Sequence, residues 1–291
     1  MPVKIYPECY NCFITQAIRS SRIHTQDTER ILDVVQAVVK VLVDIDHNVP
    51  PPLISEYVYG TIRRKLGVDD PYGEIKKRYN DIAMGYLEFA MKRLESSDDP
   101  LECALKLSLA GNIIDFGSEV KRFDIMETIN QTVNEGFDLN DIESFKKQLK
   151  RAKNLVLIAD NAGEAVFDRV LLETIGRLYP SLKIHVFVRG GPIINDVTID
   201  DAKYIGLDRV AHLVKTHRPI PGFWPAYCED ECKRIYDECD LIISKGQGNF
   251  ETLTEIKDER VFFLFIVKCR VVANYLGVKK YAKIFKQNRG R

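Results

Sequence analysis

The chain has 291 residues, with 42 basic and 42 acidic side chains, and its apolar (45%) and charged (29%) fractions are those of an ordinary globular protein. Balanced charge argues against a protein that coats nucleic acid, which needs a basic excess to displace counterions, but leaves room for a local basic pocket. No apolar run reaches membrane-spanning length; the most hydrophobic, Val261 to Val267, is strand-sized. The first residues carry no secretory apolar region, and seven scattered cysteines fit a reduced, cytoplasmic setting better than a disulfide framework.

The first half reads as helical. Between Gln26 and Asp46 a broad apolar face (Ile31, Val34, Val35, Val38, Leu42 and neighbours) repeats at helical spacing. Pro50-Pro51-Pro52 then breaks the chain before a helix predicted from about Leu53 to Leu66. Asp70-Pro71 and Asp99-Pro100 each look like an N-cap followed by proline at the first helical position, opening helices toward Leu94 and Ile114. Two shorter helices are expected around 125–133 and 141–150.

From Asn154 the period changes. Leu155 to Ala159, Ile184 to Val188, Leu241 to Ser244 and Val261 to Ile266 are short apolar runs separated by helical segments, the pattern of a parallel sheet with helices on both faces. In such sheets ligands bind beyond the C-terminal ends of the strands. The first strand ends in Asp160-Asn161-Ala162-Gly163-Glu164. The second ends in Arg189-Gly190-Gly191, with Asn195-Asp196 following, the third in Lys245-Gly246-Gln247-Gly248-Asn249, and the fourth in Lys268-Cys269. Every strand therefore delivers a polar or glycine-rich cluster to one rim.

Asp160, Asn161 and Asp196 offer hard oxygen donors suited to Mg²⁺ or Mn²⁺ rather than to a closed zinc cage. Arg189, Lys245 and Lys268 supply positive charge, Gly246 and Gly248 admit an anion close to backbone N–H groups, and the helix opening at Glu164 adds free donors. Each residue also has a plainer reading. Asp160 fits an N-cap, Asn161 a turn, Asp196 the approach to a cap at Thr198, and the lysines a solvated surface. The convergence of four rims, rather than any one residue, points to a phosphoryl site.

At these residues the sequence resembles the domain-of-unknown-function 89 family, the metal-dependent damage-control phosphatases, and in particular its archaeal-type members. The matching segments are Glu8-Cys9-Tyr10-Asn11-Cys12, Leu109 to Asp115, Asp160 to Glu164, Arg189-Gly190 with Asn195-Asp196, Lys245 to Glu251, and Lys268-Cys269. The resemblance implies a helical domain (residues 1–150) packed on a Rossmann-like three-layer α/β/α domain (151–291). It further implies a divalent cation (Mg²⁺, Mn²⁺, Co²⁺ or Ni²⁺) held by Asp160, Asn161 and Asp196, with Lys245 and Lys268 on the phosphate of a small phosphorylated metabolite. Glu164, Arg189, Gly246, Gly248 and Asn249 would line the substrate site, and Asn112 and Asp115 would close over it or, alternatively, end the helix from Pro100. The nucleophile would be a metal-activated water or one of the carboxylates.

Cys9 and Cys12 form a Cys-x-x-Cys that suits a second metal or a redox pair, or else two buried helix-start thiols; a zinc site would need two more ligands, and the resemblance would fit Cys103 or Cys269 joining in space. Cys228, Cys232 and Cys239 read as structural. A methyltransferase would want a glycine-rich turn directly after the first strand, where this chain has two metal-type ligands. A non-catalytic metal or metabolite binder would use the same donors as the phosphatase.

Overall fold

The computed structural model describes residues 3–113 and 122–290; Asp115 lies outside the described residues. The first half carries α1 (Pro7–His24), α2 (Thr28–Val43), α3 (Pro51–Leu66), α4 (Gly73–Met84), α5 (Leu87–Glu95), α6 (Pro100–Ile113) and α7 (Arg122–Asn134). Then follow β1 (Leu139–Asn140), α8 (Ile142–Leu149), β2 (Asn154–Ile158), α9 (Glu164–Leu178), β3 (Lys183–Val188), α10 (Ile199–Tyr204) and β4 (His212–Lys215). The chain continues through α11 (Asp230–Glu238), β5 (Leu241–Lys245), α12 (Gly246–Leu253), β6 (Val261–Ile266), α13 (Arg270–Leu276) and β7 (Lys283–Gln287).

Local chemistry sets the helix bounds. Asp27 caps α2 by accepting the Glu29 and Arg30 N–H groups, and the residues it buries, Val34, Val38 and Leu42, are a narrower stripe than the apolar pattern suggests. The proline run starts α3 two residues earlier than predicted, because proline's fixed φ and missing N–H cost nothing in a first turn. Asp70-Pro71 forms a turn in which Asp70 accepts the Tyr72 N–H, so the helix begins at Gly73; it then breaks near Gly85, a weak helix former, into α4 and α5.

The strands form one sheet in the order β1-β7-β6-β5-β2-β3-β4, parallel throughout except that β7 runs antiparallel to β6. Its pleat splits the core in two. Leu155, Leu157, Leu241, Ile243, Phe262 and Leu264 face the helices α6 and α9, whereas Val156, Ile158, Ile242, Phe263 and Phe265 face α11, α12 and α13. The first cluster runs from Ala83 to Phe285, so helices from before residue 150 share one core with the sheet, and β1 joins that sheet from the same side of the sequence. A third cluster joins α1, α2 and α3 to Ile193 in the loop after β3, which brings the N-terminal helices over the C-terminal rim of the sheet.

The strand order reverses at β2. The chain leaves β2 toward β3 and β4 on one side, then returns to place β5 and β6 on the other. A crevice opens where neighbouring strands send their following loops in opposite directions, and here it lies between the ends of β2 and β5. One difference from the reduced-cysteine expectation is a disulfide joining Cys228 to Cys232, whose Cα atoms lie 5.5 Å apart across the start of α11, within bridging range.

Candidate active site

The loop after β2 and the loop after β3 are stitched together. The Ala162 N–H donates to the Asn195 carbonyl and the Val197 N–H to the Asp160 carbonyl, both at 2.8 Å, so Asn161 and Asp196 face each other in an antiparallel bridge. This brings two carboxylates and one amide from distant parts of the sequence to one point. Asn161 Nδ2 donates to Asp160 Oδ2 at 2.9 Å, which orients the amide and leaves its carbonyl oxygen as the donor a hard cation takes.

Arg189 holds the pair from behind. Its Nε donates to Asp196 Oδ2 at 2.6 Å, its Nη2 reaches Asp160 Oδ1 at 3.4 Å, and its Nη1 donates to Asn249 Oδ1 at 3.0 Å. Arg189 and Asn249 are both buried; Asn249 also donates to the carbonyls of Ala159 and Lys245. These two residues therefore brace the loops rather than line the cleft.

Gly246 determines how close β5 comes to β2. It sits at φ +77°, and a Cβ there would fall inside the Asp160 carboxylate. Only glycine combines that backbone with that gap. On the other side, Gly111 lets α6 press on α9: a Cβ would lie 3.0 Å from the Glu164 Cα. That approach delivers Asn112, whose Nδ2 donates to Glu164 Oε2 at 2.6 Å and, more weakly, to Asp160 Oδ2 at 3.4 Å.

Beneath this lies a sealed polar layer. Lys245 is fully buried, with Nζ 2.6 Å from each of Glu164 Oε1, Asp168 Oδ1 and Ser108 Oγ. The pleat explains the direction. Leu241, Ile243 and Lys245 alternate onto the face covered by α6 and α9, so the ammonium points into the helix layer. Lys245, expected at substrate phosphate, thus stands behind the cleft wall. Asp168, Ser108 and Asn80, whose Oδ1 accepts the Gly163 N–H at 2.7 Å, were not singled out by the sequence. The pleat of β5 was the signal that would have found the first two.

Charge is crowded here. Burial, then Asp196 and Glu164, push the Asp160 carboxyl well above the usual range, against the pull of Arg189 and Lys268. Burial likewise raises Asp196, opposed by Arg189, and lifts Asp168 to about 6 despite Lys245. For Lys245, burial works against the charged form and the carboxylates of Asp168 and Glu164 outweigh it. Four carboxylates (160, 164, 168, 196) thus crowd one buried region, drawn toward their charged forms by Arg189, Lys245, Lys268 and Lys76.

In front of this wall is a cleft of about 600 Å³, the size of a small-molecule site. Asp160, Asn161, Asp196, Gly248 and Lys268 line its sheet side; α1 and α3 form the opposite wall. The Lys268 N–H donates to Gln247 Oε1 at 2.8 Å, which ties the end of β6 to the first turn of α12. Cys9 and Cys12 line the same cleft beside Cys269. Burial raises all three thiols, Cys9 to about 11, which disfavours thiolate chemistry. Among the described residues no three His, Cys, Asp or Glu side chains are arranged to hold a metal ion. The Asp160–Asn161–Asp196 set has two carboxylates and an amide, and its oxygen chemistry fits a hard divalent cation.

A carboxylate and amide cluster at the switch point of an α/β sheet, with a lysine beside it, has the donors and the charge that phosphoryl chemistry uses. The damage-control phosphatase ARMT1-like domain model matches residues 5–284, and the chain belongs to this family. A damage-control phosphatase of Pyrococcus horikoshii is 32% identical over 288 residues, covering 99% of each chain. A damage-control phosphatase of Archaeoglobus fulgidus is 34% identical over 284 residues, covering 95% of this chain and 96% of its own. The crystal structure of a DUF89 family protein from Pyrococcus horikoshii matches with a TM-score of 0.90 at 32% identity, over 98% of this chain and 99% of that one. No helix among the described residues is long and apolar enough to cross a membrane.

Proposed function

We propose that this chain hydrolyses small phosphate monoesters, sugar phosphates or damaged phosphometabolites, and that it needs a divalent cation to do so. The observation that carries the reading is the convergence of Asp160, Asn161 and Asp196 beside Lys268 on one cleft wall. Those three side chains would hold Mg²⁺, Mn²⁺, Co²⁺ or Ni²⁺, which supplies polarisation of a phosphoryl oxygen and offsets transition-state charge.

The chain's own residues do the rest. Arg189 fixes both carboxylates, so the cluster is organised before ligands arrive. Lys268 offers its ammonium to the phosphate, and the first turn of α12, exposed to the cleft at Gln247 and Gly248, supplies N–H donors at the positive end of a helix. Lys245 acts from below by balancing Glu164 and Asp168, which holds Asn112 and Glu164 under Asp160.

The test is phosphate release from p-nitrophenyl phosphate and a panel of sugar phosphates, with metal-stripped protein resupplied with each of the four cations. An Asp160→Ala variant runs alongside. Cation-dependent release that falls by about 10³-fold or more in the variant supports the reading. No release with any cation from folded protein would make the chain a metabolite binder.

A further inference from the structure

The cleft is longer than its reacting end. Along α1 the residues Glu8, Cys12, Gln16, Arg19 and Ile23 recur every three or four positions, so one stripe of the helix forms a wall of the cleft. Cys12 lies toward Glu251 at the lysine end, and Arg19 stands about 10 Å further along the helix axis. Arg22 follows one turn later.

Two features of this far wall play no part in the phosphate chemistry. Tyr59, on α3, is buried and lines the cleft, yet its hydroxyl has no hydrogen-bond partner among the described residues. It lies close enough to Tyr72, Asp196 and Arg19 to interact electrostatically with each. The hydroxyl is shut off from solvent, so Tyr59 gives the cleft a ring face at this point and the free charge of the wall comes from the arginines. Secondly, Arg19 and Arg22 lie three residues apart, both exposed, and among the described residues no carboxylate pairs with either. Arg22, in the last turn of α1, also answers the helix dipole, but Arg19 a turn earlier does not. Glu8, the acid of the same stripe, is about 16 Å from Arg19 along the axis and cannot neutralise it.

We infer that the substrate carries a second anionic group, remote from the scissile phosphate, which Arg19 binds with support from Arg22. The inference rests on the phosphatase reading and narrows it: the preferred esters are bisphosphates or phosphorylated acids rather than phosphate esters with neutral tails. Arginine suits the role because its planar fork meets carboxylate and phosphate alike.

Matched hexose substrates test it. Glucose 1-phosphate has a neutral C6 hydroxyl, glucuronic acid 1-phosphate a carboxylate there, and glucose 1,6-bisphosphate a phosphate. The expected result is a kcat/KM at least tenfold higher for one or both of the doubly anionic esters, with the carboxylate and phosphate arms showing which group is preferred. Arg19→Gln should erase that preference, chiefly through KM, and Arg22→Gln should reduce it. A wild-type preference near unity, or one that survives Arg19→Gln, overturns the inference. p-Nitrophenyl phosphate separates the two claims. If it is hydrolysed while the preference is absent, only the second-anion site falls; if nothing is hydrolysed, the phosphatase reading falls and takes this inference with it.

Discussion

Two lysines at the ends of neighbouring strands have opposite fates. Lys245, the last residue of β5, is sealed among Glu164, Asp168 and Ser108, whereas Lys268, two residues past β6, stands on the cleft wall near Asp160 and Asp196. The residue type is the same and the sheet rim is the same. What differs is the pleat: Lys245 inherits the orientation of a strand, and Lys268 has left it. A cation below the cleft organises, and a cation in front of it meets substrate.

That contrast predicts different kinds of damage. Lys245→Met leaves two buried carboxylates without their partner and should cost about 3–5 kcal/mol of stability in urea unfolding. Lys268→Met should lower kcat/KM by about 10²-fold, as loss of one charge-stabilising donor does, while shifting stability by less than about 1 kcal/mol. If the two variants behaved alike, the division into an inner and an outer layer would be wrong. Gly246→Ala tests the seam between the layers. It forces a side chain onto φ +77° and into the Asp160 carboxylate, so it should cost about 1–3 kcal/mol and weaken activity together.

The smallest expected effect concerns Glu251, on the cleft wall, where burial raises the carboxyl from an ordinary 4.5 to about 7. A carboxyl with a raised folded-state pKa holds its proton better folded than unfolded. Its charge therefore handicaps folding fully above pH 7, and the handicap fades as pH falls from 7 to 4.5. Glu251→Gln should match the wild type near pH 5 and exceed it above pH 7. Partial exposure screens the charge, so the gain is on the order of 1 kcal/mol, read from urea unfolding at the two pH values.

The rim clusters were legible because strand ends are: a continuous apolar run stopping at Asp160 or Lys268 marks both the strand and what it delivers. Less legible was depth. Sequence spacing places a backbone at a rim but does not say whether a side chain turns outward: Lys245 turns into the layer under α6 and α9, and Arg189 and Asn249 bond each other and the loops after β2 and β3. Asn112 was expected to close over the site or end its helix, and its bond to Glu164 had no sequence signal. The far wall of the cleft could not be read at all, because Tyr59 and Arg19 reach it only through the packing of α1 and α3 over the loop after β3. Short strands also escaped: β4 and β7 mix apolar residues with lysine or histidine and lack the unbroken apolar run that marks β2, β5 and β6.

The antiparallel β7 has a consequence of a different sort. It covers β6, whose Val-Phe-Phe-Leu-Phe-Ile sequence is uncharged and wholly buried. Stripped of its neighbour, such a strand would present an open row of backbone donors and acceptors on the most adhesive segment of the chain. β7 closes that row and carries Lys283 and Lys286, charges that discourage strand-on-strand growth. Injury to this strand, which only the two-residue β1 flanks on its other side, would therefore surface as aggregation.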